Sequence, residues 1–219
     1  MAKTKVNPKR VPPQPRRTER GELRRLALLD IARDVFLERG YEGTSIEEIM
    51  RRVGGSKASL YSYFGSKEGL FYEILVAQTE AFMNELQIPT VADATLEKTL
   101  RRIGTTFLKV MLDPRRSGLF RIMIAEAGRL PTEVVQRFYD KGPHRGRMAL
   151  GHYLELQRLA GRLRCPDAAR AATQFFDLIK GQPHSRTLLG LSAFPEGLTL
   201  EQHVDSAVNL FLHGYLQHS

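Results

Sequence analysis

The chain has 219 residues, of which 42% are hydrophobic, and it contains a single cysteine, Cys165. No apolar run approaches the roughly 20 residues that a membrane-spanning helix needs. One cysteine forms no internal disulfide, so we expect a cytoplasmic protein with no membrane partner. The formal charge is +9, and residues 1–66 hold 14 basic against 8 acidic side chains. This imbalance indicates either a polyanionic partner or a solubilising surface.

The chain begins with a segment that predicts a flexible tail. Residues 1–20 are rich in proline and in basic side chains and show no apolar periodicity. Apolar residues then recur at helical spacing from Leu28 to Phe36, and Gly40 provides a stop signal. A first helix is therefore predicted directly after the tail.

Two short helices are predicted next, with a tight turn between them. Ser45 with Glu48 three residues later forms a capping box, which predicts a helix over residues 46–53. Two glycines end this helix, and Ser56 can cap another over residues 57–63. Helix, tight turn and helix in this order are typical of a helix-turn-helix motif.

The second of these helices, within SKASLYSYF at residues 56–64, has one apolar pair. Leu60 and Phe64 are four residues apart and lie on one face, so the other side chains point elsewhere. A recognition helix needs such polar side chains for DNA bases and phosphates, although a solvated helix face has the same pattern. The polar candidates are Lys57, Ser59, Tyr61 and Ser62. Lys67 and the helix N-termini that begin at Ser45 and Ser66 suit phosphate.

Residues 24–70 resemble the DNA-binding domain of the TetR (tetracycline-repressor-like) family. The resemblance rests on Ile31, Ala32, Phe36, Gly40, Tyr41, Thr44, Ser45, Ile49, Gly54, Ser56, Leu60, Tyr61, Tyr63, Phe64, Ser66, Lys67 and Leu70. Gly55 departs from the family, which commonly has an aliphatic residue there, and predicts a looser turn. The resemblance implies DNA contacts at Ser45, Lys57, Ala58, Ser59, Tyr61, Tyr63 and Lys67. Two further candidates for DNA contact are Ser56, which can cap the helix, and Ser62, which points away from the apolar pair.

The remainder of the chain is predicted to be helical as well, so the fold class is all-α. A long helix over residues 67–86 follows the motif, and residues 118–128 are apolar almost all round, which predicts a buried central helix. Met148, His152, Leu156 and Leu159 mark an apolar stripe in residues 144–161. Segments such as IAEAGRLP and FYDKGP resemble the AefR-like subgroup of TetR C-terminal domains. This resemblance implies a DNA-binding domain over residues 21–66 and an effector-binding and dimerisation domain over residues 67–219.

The last two helices, about residues 167–190 and 199–217, carry apolar residues on more than one face. Such surplus suits a symmetric four-helix dimer interface, and the alternative is a larger monomer core. The predicted interface residues are Phe175, Ile179, Val204, Val208, Phe211 and Tyr215.

A cavity for a small, largely apolar effector is predicted where aromatic and methionine side chains are dense. Its candidate residues are Phe107, Met111, Phe120, Met123, Glu126, Tyr139, His152 and Phe176. The polar candidates Glu126, Tyr139 and His152 can equally be core residues that are paired with other groups inside the protein. His152 and Glu155 have a metal-ligand spacing without a third ligand, so no metal or cofactor is expected.

The expected function is that of a homodimeric transcriptional regulator, most simply a repressor that a small effector releases from a palindromic operator. The sequence has no G-x-S-x-G elbow, P-loop, dinucleotide fingerprint or H-E-x-x-H motif, so an enzyme is not expected. An architectural DNA-binding protein is the alternative, with weak sequence preference and no pocket. Arg16, Arg17 and Arg20 of the tail are candidates for contact with an adjacent minor groove.

Overall fold

The computed structural model describes residues 19–92, 95–195 and 197–215, and all regular elements in these ranges are helical, as predicted. Most of the predicted tail lies outside these ranges, and its last residues, Glu19 and Arg20, form the start of the first helix instead. The helices are α1 (Glu19–Arg39), α2 (Ile46–Val53), α3 (Lys57–Phe64), α4 (Lys67–Leu86), α5 (Leu96–Leu112), α6 (Pro114–Glu126), α7 (Thr132–Tyr139), α8 (Arg145–Leu159), α9 (Ala168–Leu188) and α10 (Leu200–Tyr215). A π-helical turn, Asp140–His144, joins α7 to α8.

The first four helices and α6 share one hydrophobic core. Its centre is a cluster of rings in which Phe36 lies 5.0 Å from Phe71 and Tyr41 lies 5.2 Å from Phe71, measured between ring centroids. Leu119 and Met123 of α6 are buried in the same core. The N-terminal half of α4 therefore packs in the same core as the helix-turn-helix motif.

A second core lies between α5, α8, α9 and α10, and it corrects the predicted dimer surface. The side chains of Phe175, Ile179, Val204, Val208 and Phe211 are at most 2% exposed within the single chain. They cannot lie on a surface that a second copy touches, because α9 packs against α5, α8 and α10 at once. Tyr215 is partly exposed, and its hydroxyl donates a hydrogen bond to Gln174. The larger monomer core is thus the right interpretation for these five residues.

Two further helices differ from the sequence prediction. The stripe predicted to be buried on α8 faces outward, with Met148 56% and Leu159 68% exposed, because the helix buries Leu150, Tyr153 and Leu154 against α9 instead. The helix predicted over residues 118–128 begins earlier, at Pro114, since Asp113 caps it by accepting a hydrogen bond from the Arg116 N–H at 2.9 Å. It is buried on one side only. None of the described helices is both long enough and apolar enough to cross a membrane.

Candidate DNA-binding surface and ligand cavity

Helix α3 separates its side chains as the sequence predicts. Leu60 is completely buried and Phe64 is 7% exposed, whereas Tyr61 on the other side is 48% exposed. Lys57, Ala58 and Ser62 are exposed as well, and Ser59 is half-buried. Tyr63 is partly exposed, and its ring centroid lies 5.9 Å from that of Phe64.

The three serines that precede α2, α3 and α4 act as helix caps. Ser45, Ser56 and Ser66 each accept a hydrogen bond from a backbone N–H three residues later, at 3.2, 3.3 and 3.1 Å. The caps fix where each helix starts and leave other first-turn N–H groups unpaired within the helix. Helix N-termini of this kind suit phosphate oxygens.

The turn between α2 and α3 is closed by an arginine that sequence reasoning missed. Gly54 and Gly55 have φ angles of +76° and +97°, which side chains rarely adopt. Arg24 of α1 donates a hydrogen bond from its guanidinium to the Gly54 carbonyl at 2.5 Å. A Cβ atom at Gly55 would overlap that guanidinium. Arg24 therefore occupies the space that a side chain at Gly55 would take, and the departure from the family at Gly55 was the available signal.

The cations of this surface are held by carboxylates and by an aromatic ring. Lys57 forms an ion pair with Glu47, and this hydrogen bond lowers the pKa of Glu47. Glu48 accepts hydrogen bonds from Arg51 and Arg52, which lower its pKa to about 2. Lys67 lies 4.4 Å above the centre of the Tyr41 ring. The side chains of Lys57 and Glu47 are exposed, so phosphate can exchange with this ion pair at little cost.

Beside the first core lies a cavity of about 620 Å³. Helices α4, α5, α6 and α9 and the junction of α7 with α8 form its walls. Six of the eight predicted residues are on these walls, namely Phe107, Met111, Phe120, Met123, Tyr139 and Phe176. The volume and the largely apolar wall are typical of a small-molecule site.

Glu126 and His152 do not line the cavity, and their prediction as effector contacts is wrong. Glu126 is buried at the end of α6 and lies 3.5 Å from the guanidinium of Arg129, so the alternative of an internal pair is the correct one. His152 is exposed on the outer face of α8. His152 belongs to the predicted stripe of α8. This stripe faces away from the cavity, because α8 buries its other apolar side against α9.

Sequence reasoning missed the wall residues at the junction of α7 with α8 and His184 on α9. Gly142, Pro143 and Arg147 enter the wall where α7 joins α8. His184 of α9 places its Nδ1 3.2 Å from the Met111 carbonyl oxygen and its ring 5.6 Å from the Phe120 ring. Burial lowers the pKa of His184. A π-helical turn is often associated with functional sites, but its sequence has no period that reveals it.

The cavity and the DNA-binding motif share two helices. Leu75 of α4 and Leu119 and Met123 of α6 line the cavity and also belong to the first core. A Cβ atom at Gly118 would stand 2.7 Å from Leu37 of α1, so α6 and α1 approach as closely as a glycine allows. One helical layer thus separates the cavity from the helices that carry α3.

The sequence and the fold of this chain match those of known transcriptional regulators. Residues 28–74 match the family model of bacterial regulatory proteins of the tetR family, and residues 98–217 match that of the AefR-like transcriptional repressor C-terminal domain. A TetR-family regulator from Mesorhizobium loti superposes with a TM-score of 0.80 at 25% identity, covering 91% of this chain and 100% of its own. The flavonoid-responsive regulator FrrA superposes with a TM-score of 0.76 at 32% identity, covering 90% and 100%.

A curated relative matches over a shorter length. The regulator YezE of Bacillus subtilis is 27% identical over 119 residues, which span 52% of this chain and 59% of that protein. The two family models together extend over most of the chain. The chain therefore belongs to the TetR family of DNA-binding transcriptional regulators.

Proposed function

We propose that this protein is a homodimeric repressor that leaves its operator when a small, largely apolar molecule occupies the cavity. The observation that carries the proposal is the shared wall: α4 and α6 belong both to the cavity and to the core that supports α3. A change in the cavity can reach the recognition helix through one layer of packed side chains. An architectural protein that binds DNA without an effector needs no such cavity.

The DNA contacts proposed for α3 divide by position. Tyr61 and Ser62 are exposed on the side opposite the buried pair Leu60 and Phe64, so they are the candidates for base edges. Lys67 lies at the start of α4, outside the recognition helix, and is a candidate for phosphate. Its ammonium rests on the Tyr41 ring in the free protein, and a phosphate oxygen would be a second partner.

The dimer is proposed to form through the exposed sides of α9 and α10. Leu210 on α10 is 62% exposed and Leu189 at the end of α9 is 77% exposed, although their helices otherwise bury their apolar residues. Two copies related by a two-fold axis would hold their α3 helices over half-sites one helical turn, roughly 34–36 Å, apart. A palindromic operator follows from that symmetry.

The proposed ligand response follows from how the cavity is built. Its volume of about 620 Å³ suits a small molecule, and the related FrrA is by name responsive to flavonoids. A ligand between α6, α4 and the π-helical turn would press on α4 at Thr79, which packs against Gly142. The ligand must bind the DNA-free arrangement more tightly than the bound one, or the equilibrium does not shift.

Selection of bound sequences from random DNA by the purified protein tests the DNA part of the proposal, and a palindromic consensus is expected. Titration of the selected site then separates the contacts. Lys67→Ala should weaken binding to all sequences and reduce the salt slope by roughly 1, whereas Lys98→Ala on α5 is the matched control and should change neither. Tyr61→Phe should cost about 1–3 kcal/mol of operator affinity at unchanged melting temperature. If Lys67→Ala and Tyr61→Phe both bind the operator as tightly as the wild-type protein at every salt concentration, α3 is not the surface that reads the DNA sequence.

Light scattering of the full chain tests the dimer. Wild-type protein should have the mass of two chains at micromolar concentration, and Leu210→Glu should shift it to one chain because a buried unpaired carboxylate is costly. Val91→Glu is the control, because Val91 is 66% exposed in the α4–α5 connection and belongs to neither α9 nor α10. A wild-type monomer would contradict the dimer.

A further inference from the structure

Arg147 in the first turn of α8 has an unusual environment. Its Nε and Nη1 atoms are buried and have no hydrogen-bond partner within the ranges that the structure describes. Its guanidinium carbon lies 5.9 Å from the centre of the Tyr139 ring, which is a contact with a π-face and satisfies no N–H group. Both residues line the cavity, and Tyr139 is 45% exposed at its edge.

The other cations on the cavity wall are neutralised by carboxylates. Arg116 pairs with Glu85 at 2.6 Å, and Lys180 pairs with Asp177 at 3.2 Å. His184 has its Nδ1 at the Met111 carbonyl, and burial lowers its pKa, which favours the neutral ring. Arg147 forms no ion pair with any described residue, so it leaves an uncompensated positive charge at one end of the cavity.

Buried N–H groups of a guanidinium without acceptors are unfavourable in a folded protein. An unmade hydrogen bond at a charged group costs more than one at a neutral group, and buried polar atoms are paired in the great majority of structures. Arg147 is therefore expected to find its acceptors in a molecule that enters the cavity. A planar guanidinium pairs best with a planar, doubly accepting anion such as a carboxylate.

We propose that Arg147 anchors the effector through a carboxylate, and that the effector is an apolar monocarboxylic acid. This inference rests on the proposed function, because it assigns a ligand class to the same cavity. A single uncompensated cation calls for a single negative charge, and the planar guanidinium of Arg147 can pair with both oxygens of one carboxylate. The body of the molecule lies against Phe107, Phe120 and Met111, which offer apolar surface and no further charge.

Isothermal titration of the full chain at pH 7.5 tests the inference with two matched pairs of probes: naphthalene-2-carboxylate with naphthalene-2-carboxamide, and decanoate with decanamide. Each pair has the same body and differs in the charge of the head group. Wild-type protein should bind the acid about 10–100 times more tightly than the amide in at least one pair. Arg147→Gln should abolish this preference without destabilising the free chain, because it removes an unpaired buried charge.

Two variants serve as controls. Arg145→Gln removes an exposed arginine two residues earlier on the same helix and should keep the wild-type preference. Arg147→Lys keeps the charge but loses the planar fork, so it should retain a reduced preference. If Arg147→Gln does not fold, the preference of Arg147→Lys for acid over amide tests the inference instead.

The outcomes separate the inference from the proposed function. Equal binding of acid and amide by the wild-type protein would overturn the role of Arg147 and leave the cavity as an effector site. A preference that survives in Arg147→Gln would overturn it as well. Binding of no probe in either pair would overturn the cavity as a ligand site, and with it both this inference and the effector part of the proposed function.

Discussion

The two cores of this molecule are packed to different degrees. The core around α1–α4 is filled by the rings of Phe36, Tyr41 and Phe71, of which none is more than 8% exposed. The helices of the second core bury more residues but leave a cavity of about 620 Å³ on the side that faces α6. The first region therefore presents its outer surface on a solid support. The second borders an open cavity, because its packing is incomplete on that side.

Helices α4 and α6 are where this difference has a functional consequence. Each has residues in the solid core and residues on the cavity wall, for example Leu75 and Phe82 on α4. A close-packed interior transmits a displacement because it is hardly compressible. A cavity next to such an interior can change shape at lower cost than the interior itself. The proposed ligand response is therefore compatible with a rigid support for DNA recognition in one chain.

The largest expected effect compares a ring in each region. Phe36→Ala opens a new cavity in the solid core and should lower the free energy of unfolding by about 3–5 kcal/mol. Phe107→Ala removes a partly buried ring that already borders a cavity, so it should cost at most about 2 kcal/mol. Guanidinium unfolding monitored by circular dichroism gives both values. Equal losses would mean that the cavity is filled in solution and that the two cores do not differ.

The second prediction concerns the turn between α2 and α3 in the N-terminal region. Gly54→Ala and Gly55→Ala both force a side chain to a positive φ angle, and each should cost about 1–3 kcal/mol of stability. Gly55→Ala should cost more, because its Cβ also overlaps Arg24. In a double-mutant cycle, Arg24→Ala should therefore reduce the stability loss of Gly55→Ala and leave that of Gly54→Ala unchanged. The absence of coupling between positions 24 and 55 would contradict the role given to Arg24.

Helix α6 provides a third comparison, at the boundary of the two regions. Gly118→Val introduces atoms against Leu37, whose flexible end can yield in part, so the expected loss is about 1–2 kcal/mol. Gly128→Val is the matched control, because nothing lies within 4 Å of a Cβ there. Adding Leu37→Ala to Gly118→Val should recover part of the loss in thermal unfolding. If the control costs as much as Gly118→Val, the close approach of α6 and α1 is not what the first variant disturbs.

The sequence predicts the geometry of the helix-turn-helix motif better than that of the cavity, for a physical reason. Ser45 with Glu48, and Leu60 with Phe64, act over one turn of helix, so spacing alone determines their geometry. The cavity is built from helices far apart in the chain, and local spacing carries no information on how α8 is rotated. His152 and Tyr153 both lie on apolar stripes of that helix, and the contact with α9 decides which stripe is buried.

The same limit explains the residues that were assigned wrongly or missed. Phe175 and Phe211 present surplus apolar surface in the sequence, and only the packed structure shows that their rings meet edge to face, with centroids 5.3 Å apart, inside one chain. Arg147 lies in KGPHRGRM, a stretch rich in glycine and basic residues. Its role in the proposal comes from the lack of a hydrogen-bond partner among the described residues, which no periodicity indicates.

The smallest expected effect is a difference in pH dependence between the regions. Burial lowers the pKa of His184 on the cavity wall below its ordinary value of 6.5, so the unfolded chain binds this proton more readily than the folded one. The stability that this group contributes is complete above pH 6.5 and is lost as the pH falls through 6.5 toward the lowered pKa. Glu48 beside the DNA-binding surface has its pKa lowered from 4.5 to about 2, so its contribution persists at pH 5.5 and is lost only in stronger acid.

Unfolding midpoints in urea at pH 7.5 and pH 5.5 test this difference. Wild-type protein should lose stability between the two, and His184→Gln should lose less, because glutamine can donate to the Met111 carbonyl and takes up no proton. Glu48→Gln should keep the wild-type loss over this interval, since its carboxylate is ionised at both values. If His184→Gln and wild type lose the same stability, protonation of the cavity wall is not the cause. If Glu48→Gln abolishes the loss, the pH-sensitive region is the DNA-binding surface, and the comparison is reversed.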